Sequence, residues 1–361
     1  IDNQSIYDYL VFNRTDLSED TFYTQIKKIP HSSLFHLSKE GFYIKRWYFL
    51  KERVSYKNIE SSTFLELLKD AVKLRLRSDV SVGVCLSGGL DSSSIVSILI
   101  KFFSMSNLNT FSAVYGKGEP GDESPYINLY KYALPNMFST TPTAESLYND
   151  ADSFIYAMGE PVPSTSPYAQ YKVMELAKDY VVVTLDGQGA DEQLAGYDYF
   201  FGYLFKELIY NFKLYRLFIE LYYYLKNHKS LLGFQSSLYF MLPGFIQAKL
   251  RNNALGYVNK DLQGTYMKTN RVTDNLYKAN TLQNALMNHF EYKLEHLLKW
   301  EDRNSMNFSL EARVPYLDYR LVEYNLSSYS NMIINKGSTK YILREAMRKI
   351  LPEEIRTRMD K

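Results

Sequence analysis

Cysteine is nearly absent from the chain: Cys85 is the only one among 361 residues. It sits inside an apolar run, so no disulfide framework exists and a reducing compartment is expected. Net charge is also lacking. The 42 Lys and Arg against 40 Asp and Glu leave +2, which removes the electrostatic case for a nucleic-acid or membrane-surface partner. No apolar run reaches the roughly 18 residues a bilayer span requires. The greasiest region, Tyr203 to Leu225, is broken by Lys206, Glu207, Lys213, Arg216 and Glu220. A signal peptide is missing too, so the cytoplasm is the expected location. What is plentiful is tyrosine, with 33 residues, many of them between Tyr197 and Leu225. Amphipathic helices with aromatic packing explain that cluster, and a partner- or substrate-facing surface is the sharper alternative. The length suggests about two domains.

Three segments read as buried strands: Val80 to Leu86, Thr110 to Tyr115 and Tyr180 to Leu185. Helical patterns lie among them at Ser92 to Phe103, Glu123 to Ala133, Ala144 to Ala157 and Tyr168 to Lys178. A further helix, Thr63 to Arg77, carries a capping-box pattern, with Thr63 at the N-cap and Glu66 three residues on. The fold class that follows is α/β, a parallel sheet with helices on both faces. From Phe200 onward the pattern is almost wholly helical. Before Tyr56 it is mixed, with a turn-like "KKIPHSS" and a strand-like "GFYIKRWYF". The chain shows no internal repeat.

The most informative stretch is "VCLSGGLDSSSIVSIL", Val84 to Leu99. An apolar strand runs into glycines, an aspartate and serines, and then into an apolar helix. Open parallel sheets bind ligands at the carboxyl ends of their strands. Gly88 and Gly89 allow a tight turn and close backbone approach to an anion. The helix starting near Asp91 offers free N–H groups, a natural phosphate seat. Ser87, Ser92 and Ser93 add hydroxyls. Asp91 is the odd member, since a carboxylate repels phosphate unless Mg²⁺ bridges the two. The loop is neither a Walker A sequence nor a G-x-G-x-x-G fingerprint. A second constellation, "TLDGQGADEQLAGYDYF", follows the strand at Tyr180 to Leu185. Should the two strands be neighbours, Asp191 joins Asp91 at one sheet edge as a candidate Mg²⁺ pair.

The S-G-G-x-D-S pattern resembles the pyrophosphate loop of the ATP pyrophosphatases, an adenine nucleotide alpha-hydrolase-like fold. Five motifs in order narrow the resemblance. They run from Ser87 to Ser93, Asp186 to Tyr197, Asp302 to Met306, Glu311 to Asp318 and Lys340 to Arg344. Together they resemble the synthetase domain of the glutamine-hydrolysing asparagine synthetases. The likeness spans Ser61 to the end. Residues 1–55 look like the tail of that family's glutaminase domain with its linker, leaving 56–361 as the synthetase domain. The resemblance implies ATP-dependent amide formation through an acyl-adenylate, with release of AMP and pyrophosphate. It places Ser87, Gly88, Gly89, Asp91, Ser92 and Ser93 around the pyrophosphate. It puts Leu86 and Val114 at the adenine through backbone groups, and Asp186 and Gly187 on the nucleotide. Asp91 and Asp191 would hold Mg²⁺, and Lys340 would neutralise charge at the α-phosphate. Arg313 is structural, with Glu311 or Asp302 as its ion-pair partner. The expected substrates are ATP, aspartate and ammonia, and a homodimer is an open expectation.

The chain also departs from that pattern. Asp186 stands where the family usually has serine, and Gln188 where it usually has an acid. A glutamine cannot accept a proton, so Gln188 cannot act as general base. This weakens the assignment of aspartate as substrate. It favours an amide ligase acting on a peptide, sugar acid or β-amino acid, as in lasso-peptide cyclases and β-lactam synthetases. The family's glutaminase needs an amino-terminal cysteine, whereas the chain begins at Ile1. Both ends are therefore expected to be truncated relative to a longer protein. A tRNA-modifying relative is disfavoured by the near-neutral charge. A nucleotide-binding module without activity is disfavoured by Asp91, Asp191 and Lys340.

Overall fold

The computed structural model describes residues 1–116, 118–119, 121–228, 231–243, 246–247, 249–250, 258–266 and 271–359. Its contacts divide the chain into two compact units. One comprises 1–59, 191–296 and 323–340, and the other 60–190, 297–322 and 341–361.

In the first unit, the helix Asn3–Phe12 is capped at its start by the Asp2 carboxylate, which accepts from Ser5 N–H at 2.8 Å. A hairpin follows, with β1 (Ser33–Ser38) antiparallel to β2 (Gly41–Arg46). The rest of the described part of this unit is mainly helical, with segments at Phe200–Tyr210, Leu214–Asn227, Leu232–Met241 and Leu282–Tyr292. The aromatic-rich stretch forms helices with one buried and one exposed face. Phe200, Phe201, Tyr203 and Phe205 are fully buried, and Tyr203 stacks on Phe240 with ring centroids 4.0 Å apart. On the helix Leu214–Asn227, Leu217, Glu220 and Tyr224 face inward, while Tyr215, Phe218, Tyr222 and Leu225 are exposed.

The second unit is built on a five-stranded parallel sheet of order β5-β4-β3-β6-β7. Its strands are β3 (Val82–Cys85), β4 (Asn109–Ala113), β5 (Met137–Thr140), β6 (Val183–Leu185) and β7 (Glu311–Arg313). Helices pack around the sheet, as the alternation of strands and helices in sequence predicts. Phe111 of β4 packs with Val173, Met174 and Ala177 of the helix Ser166–Ala177. β3 is hydrogen-bonded to both β4 and β6, with Val84 opposite Thr110 on one side and Leu185 on the other. Ligand-binding loops that leave β3, β4 and β6 therefore emerge at one edge.

Two local expectations change. The helix expected from Thr63 begins at Ser61 with Glu60 at the N-cap, so Thr63 lies inside the first turn and no capping box forms. The helix expected over Glu123 to Ala133 shortens to Ser124–Ile127 and a following 3₁₀ turn, Asn128–Tyr130. The region after Phe200 is mainly helical, as expected, and among its described residues the strand β7 forms where pairing of Ala312 with Thr184 completes the sheet edge. Tertiary pairing outweighs local propensity in a three-residue strand. Among the described residues, no helix is long and apolar enough to cross a membrane.

Candidate functional site

The loop after β3 turns where the sequence places its glycines. Gly88 adopts φ +81°, the left-handed region that favours glycine, and a Cβ there would press on Glu123 and Tyr126 at 3.1–3.2 Å. Gly89 is the N-cap of the helix Leu90–Phe103, so the N–H groups of its first turn have no intrahelical partner. The serines hold the loop together: Ser87 Oγ lies 3.0 Å from Ser92 Oγ and accepts from Gly89 N–H at 3.2 Å. Ser93 is fully buried, and its hydroxyl has no hydrogen-bond partner. Asp91 stands in the helix's first turn, and its backbone carbonyl accepts from Tyr316 Oη at 3.3 Å. Gly187 packs closely against this turn, where a Cβ would press on Asp91 Cβ and Ser92 N at 3.1 Å.

This edge of the sheet opens into a cavity of about 660 Å³. Leu86, Ser87, Asp186 and Gln188 line it, together with Cys85, Gln170 and Trp300. Val114 lines a separate cavity of about 410 Å³ with Ser112 and Lys131. The backbone N–H groups of Leu86 and Val114 are both engaged in the sheet, donating to Phe111 O and Thr140 O. The structure thus gathers four of the residues named from sequence around one void and sets Val114 apart.

Asp186 is buried, and its Oδ2 accepts from Thr184 Oγ1 at 3.2 Å. Burial pushes its carboxyl up to about 6, against hydrogen bonds from Cys85, Thr184 and Glu301 that pull it down. Glu301, on the helix Leu294–Asn307, is 2% exposed, and no donor reaches either of its carboxylate oxygens. Desolvation and then the Asp186 charge raise it well above the usual carboxylate range. The Cys85 thiol is raised as well, first by burial and then by Asp186.

Sequence reasoning missed several of these residues. Glu301 and Trp300 precede the Asp302–Met306 motif. Leu297, Trp300, Glu301 and Asn304 recur at helical spacing, a signal for one inward-facing stripe. Arg358 was also missed: its Nη1 donates to Gly88 O at 3.1 Å and pairs with Glu123 Oε1 at 2.7 Å, and its guanidinium lies 3.8 Å over the Tyr126 ring. A carboxyl-terminal arginine thereby braces the loop after β3, a long-range contact that local sequence does not signal.

In the other unit, Asp191 and Lys340 meet. Lys340 Nζ lies 2.5 Å from Asp191 Oδ1, with Lys340 5% exposed. Lys340 adopts φ +53°, and its N–H donates to Leu194 O at 3.0 Å. A left-handed lysine is uncommon and is held by its surroundings. Glycine is required at position 196, where a Cβ would collide with the Asp191 carboxylate and the Lys340 side chain. Neighbouring Glu192 is buried and accepts from Tyr197 Oη at 2.6 Å, with Lys293 Nζ at 3.8 Å. Among the described residues, no group of three or more His, Cys, Asp or Glu is gathered to hold a metal ion. Arg313 pairs with Glu311 at 2.7 Å and donates to the carbonyls of Arg75 and Arg77, a structural role.

The family model described as asparagine synthase matches residues 63–361. A putative glutamine-hydrolysing asparagine synthetase 2 of Methanocaldococcus jannaschii is 41% identical over 174 residues, 45% of this chain and 32% of that protein. Asparagine synthetase 1 of Bacillus subtilis is 25% identical over 99% of this chain and 58% of its own length. Asparagine synthetase 3 of the same bacterium is 27% identical over 91% and 53%. The chain thus spans between about a third and three fifths of the length of these relatives. With most of its length matched by the family model, and with the parallel sheet and glycine-serine loop in place, the chain belongs to the asparagine synthase family.

Proposed function

We propose that this chain is the synthetase part of an ATP-dependent amide ligase, with asparagine formation from aspartate and ammonia as the first reading. The observation that carries it is the cavity of about 660 Å³ at the carboxyl edge of the sheet, lined by Leu86 and by Ser87, the first residue of the loop Ser87–Ser93. The names of the Bacillus subtilis relatives, asparagine synthetases, point the same way.

In this reading a substrate carboxylate attacks the α-phosphate of ATP, forming an acyl-adenylate and expelling pyrophosphate. Ammonia then attacks the acyl carbon, and AMP leaves. Activation replaces a poor leaving group with a good one. The Gly88 and Gly89 backbone, the first turn at Leu90–Phe103 and the hydroxyls of Ser87, Ser92 and Ser93 receive the pyrophosphate. Leu86 and Val114 border the adenine, and Asp186 and Gly187 the remainder of the nucleotide. Lys340, fixed at Asp191, supplies positive charge for the α-phosphate. Asp91 and Asp191 are oxygen donors of the kind a hard cation takes. Mg²⁺ held there would neutralise polyphosphate charge. A reducing cytoplasm suits the single cysteine. The glutaminase that would supply ammonia, and pairing into a homodimer, belong to this reading of the whole protein.

One observation favours a second acceptor. Gln188 lines the cavity and cannot take a proton from an amine. An amide ligase acting on a peptide, sugar acid or β-amino acid would share every other feature. The test is pyrophosphate release from Mg-ATP, with and without L-aspartate and ammonium, beside Asp91→Ala. Aspartate-dependent release that the variant loses is the expected result. Release that responds to other carboxylates and not to aspartate would select the second reading.

A further inference from the structure

Four titratable side chains line the cavity: Cys85, Tyr115, Glu123 and Asp186. They are the candidates in this cavity for a base toward the attacking nitrogen, since Gln188 offers none. Burial raises Tyr115, and burial with the Asp186 charge raises Cys85, so both keep their protons at neutral pH. Glu123 is ion-paired with Arg358 at 2.7 Å. Asp186 remains.

Its surroundings suit the task. Thr184 of β6 donates to Asp186 from behind. The Cys85 thiol of β3 hydrogen-bonds it as well. From the helix Leu294–Asn307 comes Glu301, on which the Asp302 charge also acts. β7 contributes only its backbone, through Arg313 O, which accepts from Asp186 N–H at 2.8 Å. Two buried carboxyls in contact, with no donor reaching Glu301, are compatible only if a proton lies between them. Full burial and the neighbouring Asp186 and Asp302 charges raise Glu301 well above the usual carboxylate range, so Glu301 carries the proton. It donates to Asp186, which stays ionised at neutral pH and open to the cavity.

We propose that Asp186 is the general base of the amide-forming step, and that Glu301 is the positioning residue that holds its carboxylate ionised by donating a hydrogen bond. This rests on the ligase reading above. The lone pair of ammonia adds to the acyl carbon, and the carbonyl π pair moves to oxygen. A proton passes from nitrogen to the Asp186 carboxylate. The oxygen pair then re-forms the carbonyl and expels AMP, which leaves with the electrons of the broken carbon–oxygen bond. Asp186 returns its proton to solvent.

The test compares two half-reactions in the same chain. Substrate-dependent exchange of pyrophosphate into ATP reads adenylate formation. Amide formation at fixed free ammonia reads the second step. Asp186→Asn should lower amide formation about 100-fold more than it lowers exchange, the low end of general-base contributions. In the unaltered chain, amide formation relative to exchange should fall tenfold per pH unit below about 6. Glu301→Leu removes the donor and should move that limb upward by about one pH unit. Glu301→Gln keeps a donor and should restore it. Equal losses in both half-reactions for Asp186→Asn, or an acid limb indifferent to Glu301→Leu, overturn the base. No exchange with any carboxylate in the unaltered chain overturns the ligase reading and the base with it.

Discussion

Asp186 and Asp191 belong to one glycine-rich segment, and each lies in a different compact unit. Asp191 is met by the Lys340 ammonium at 2.5 Å. Asp186 is met by Glu301, Cys85 and Thr184, none of them cationic. A carboxylate beside a fixed cation keeps its charge and lends it to an electrostatic frame. A carboxyl without one has its charge disfavoured by desolvation and becomes able to exchange a proton near neutrality. The same residue type thus yields a charge holder in one place and a proton handler in the other.

The largest expected effect breaks the charged side of this comparison. Lys340→Ala leaves Asp191 without its ammonium and should cut pyrophosphate release by about 100- to 1,000-fold, as loss of a preorganised charge does. A fall of less than tenfold would show that the pair is structural. Gly196→Ala comes next, because its methyl drives Asp191 and Lys340 apart. A destabilisation of about 2–3 kcal/mol is expected from the overpacking, read as a lowered midpoint in urea. An unchanged midpoint would mean the pair yields freely.

The uncharged side is tested by pH. Asp186 has an ordinary value of 3.8 and is raised to about 6 in the folded chain. The folded state therefore holds the proton over a window where the unfolded state has released it. Stability from this group is present below 3.8 and is lost as pH rises through about 6. Asp186→Asn should remove that decline, worth about 1–3 kcal/mol by linkage. Denaturant midpoints at several pH values would show it, and an identical slope in the variant would reject it. Asp318 provides the opposite sign. Burial alone would raise it, yet hydrogen bonds from Arg320 and Arg75 hold it down, to about 2. Its contribution is present above 3.8 and lost as pH falls toward 2. Arg75→Ala should cost about 1–2 kcal/mol at neutral pH and flatten that acid limb in the same titration.

Much of the sheet unit was legible because its strands are buried on both faces and read as continuous apolar runs. Val82–Cys85, Asn109–Ala113 and Val183–Leu185 all fall within or within one residue of the segments so recognised. β5 and β7 escaped because three or four residues carry too little periodicity, and the pairing partner of β7 lies far away in sequence. The loop Ser87–Ser93 was legible from glycines and serines whose backbone demands are local. Glu301 was not, because a glutamate on a polar-looking helix gives no sign of facing another acid.

The sequence alone determined three of the five strands of the parallel sheet with the helices among them, the tight turn at Gly88 and the family's five motifs. These depend on backbone preference and on apolar periodicity, which act over a few residues. Only the tertiary structure decided that Arg358 braces Gly88, that Lys340 in a left-handed conformation reaches Asp191, and that Glu301 is buried against Asp186. Each of those contacts joins residues more than a hundred positions apart. The strength and sign of such contacts follow from desolvation, a property of the surroundings that no local stretch of chain carries.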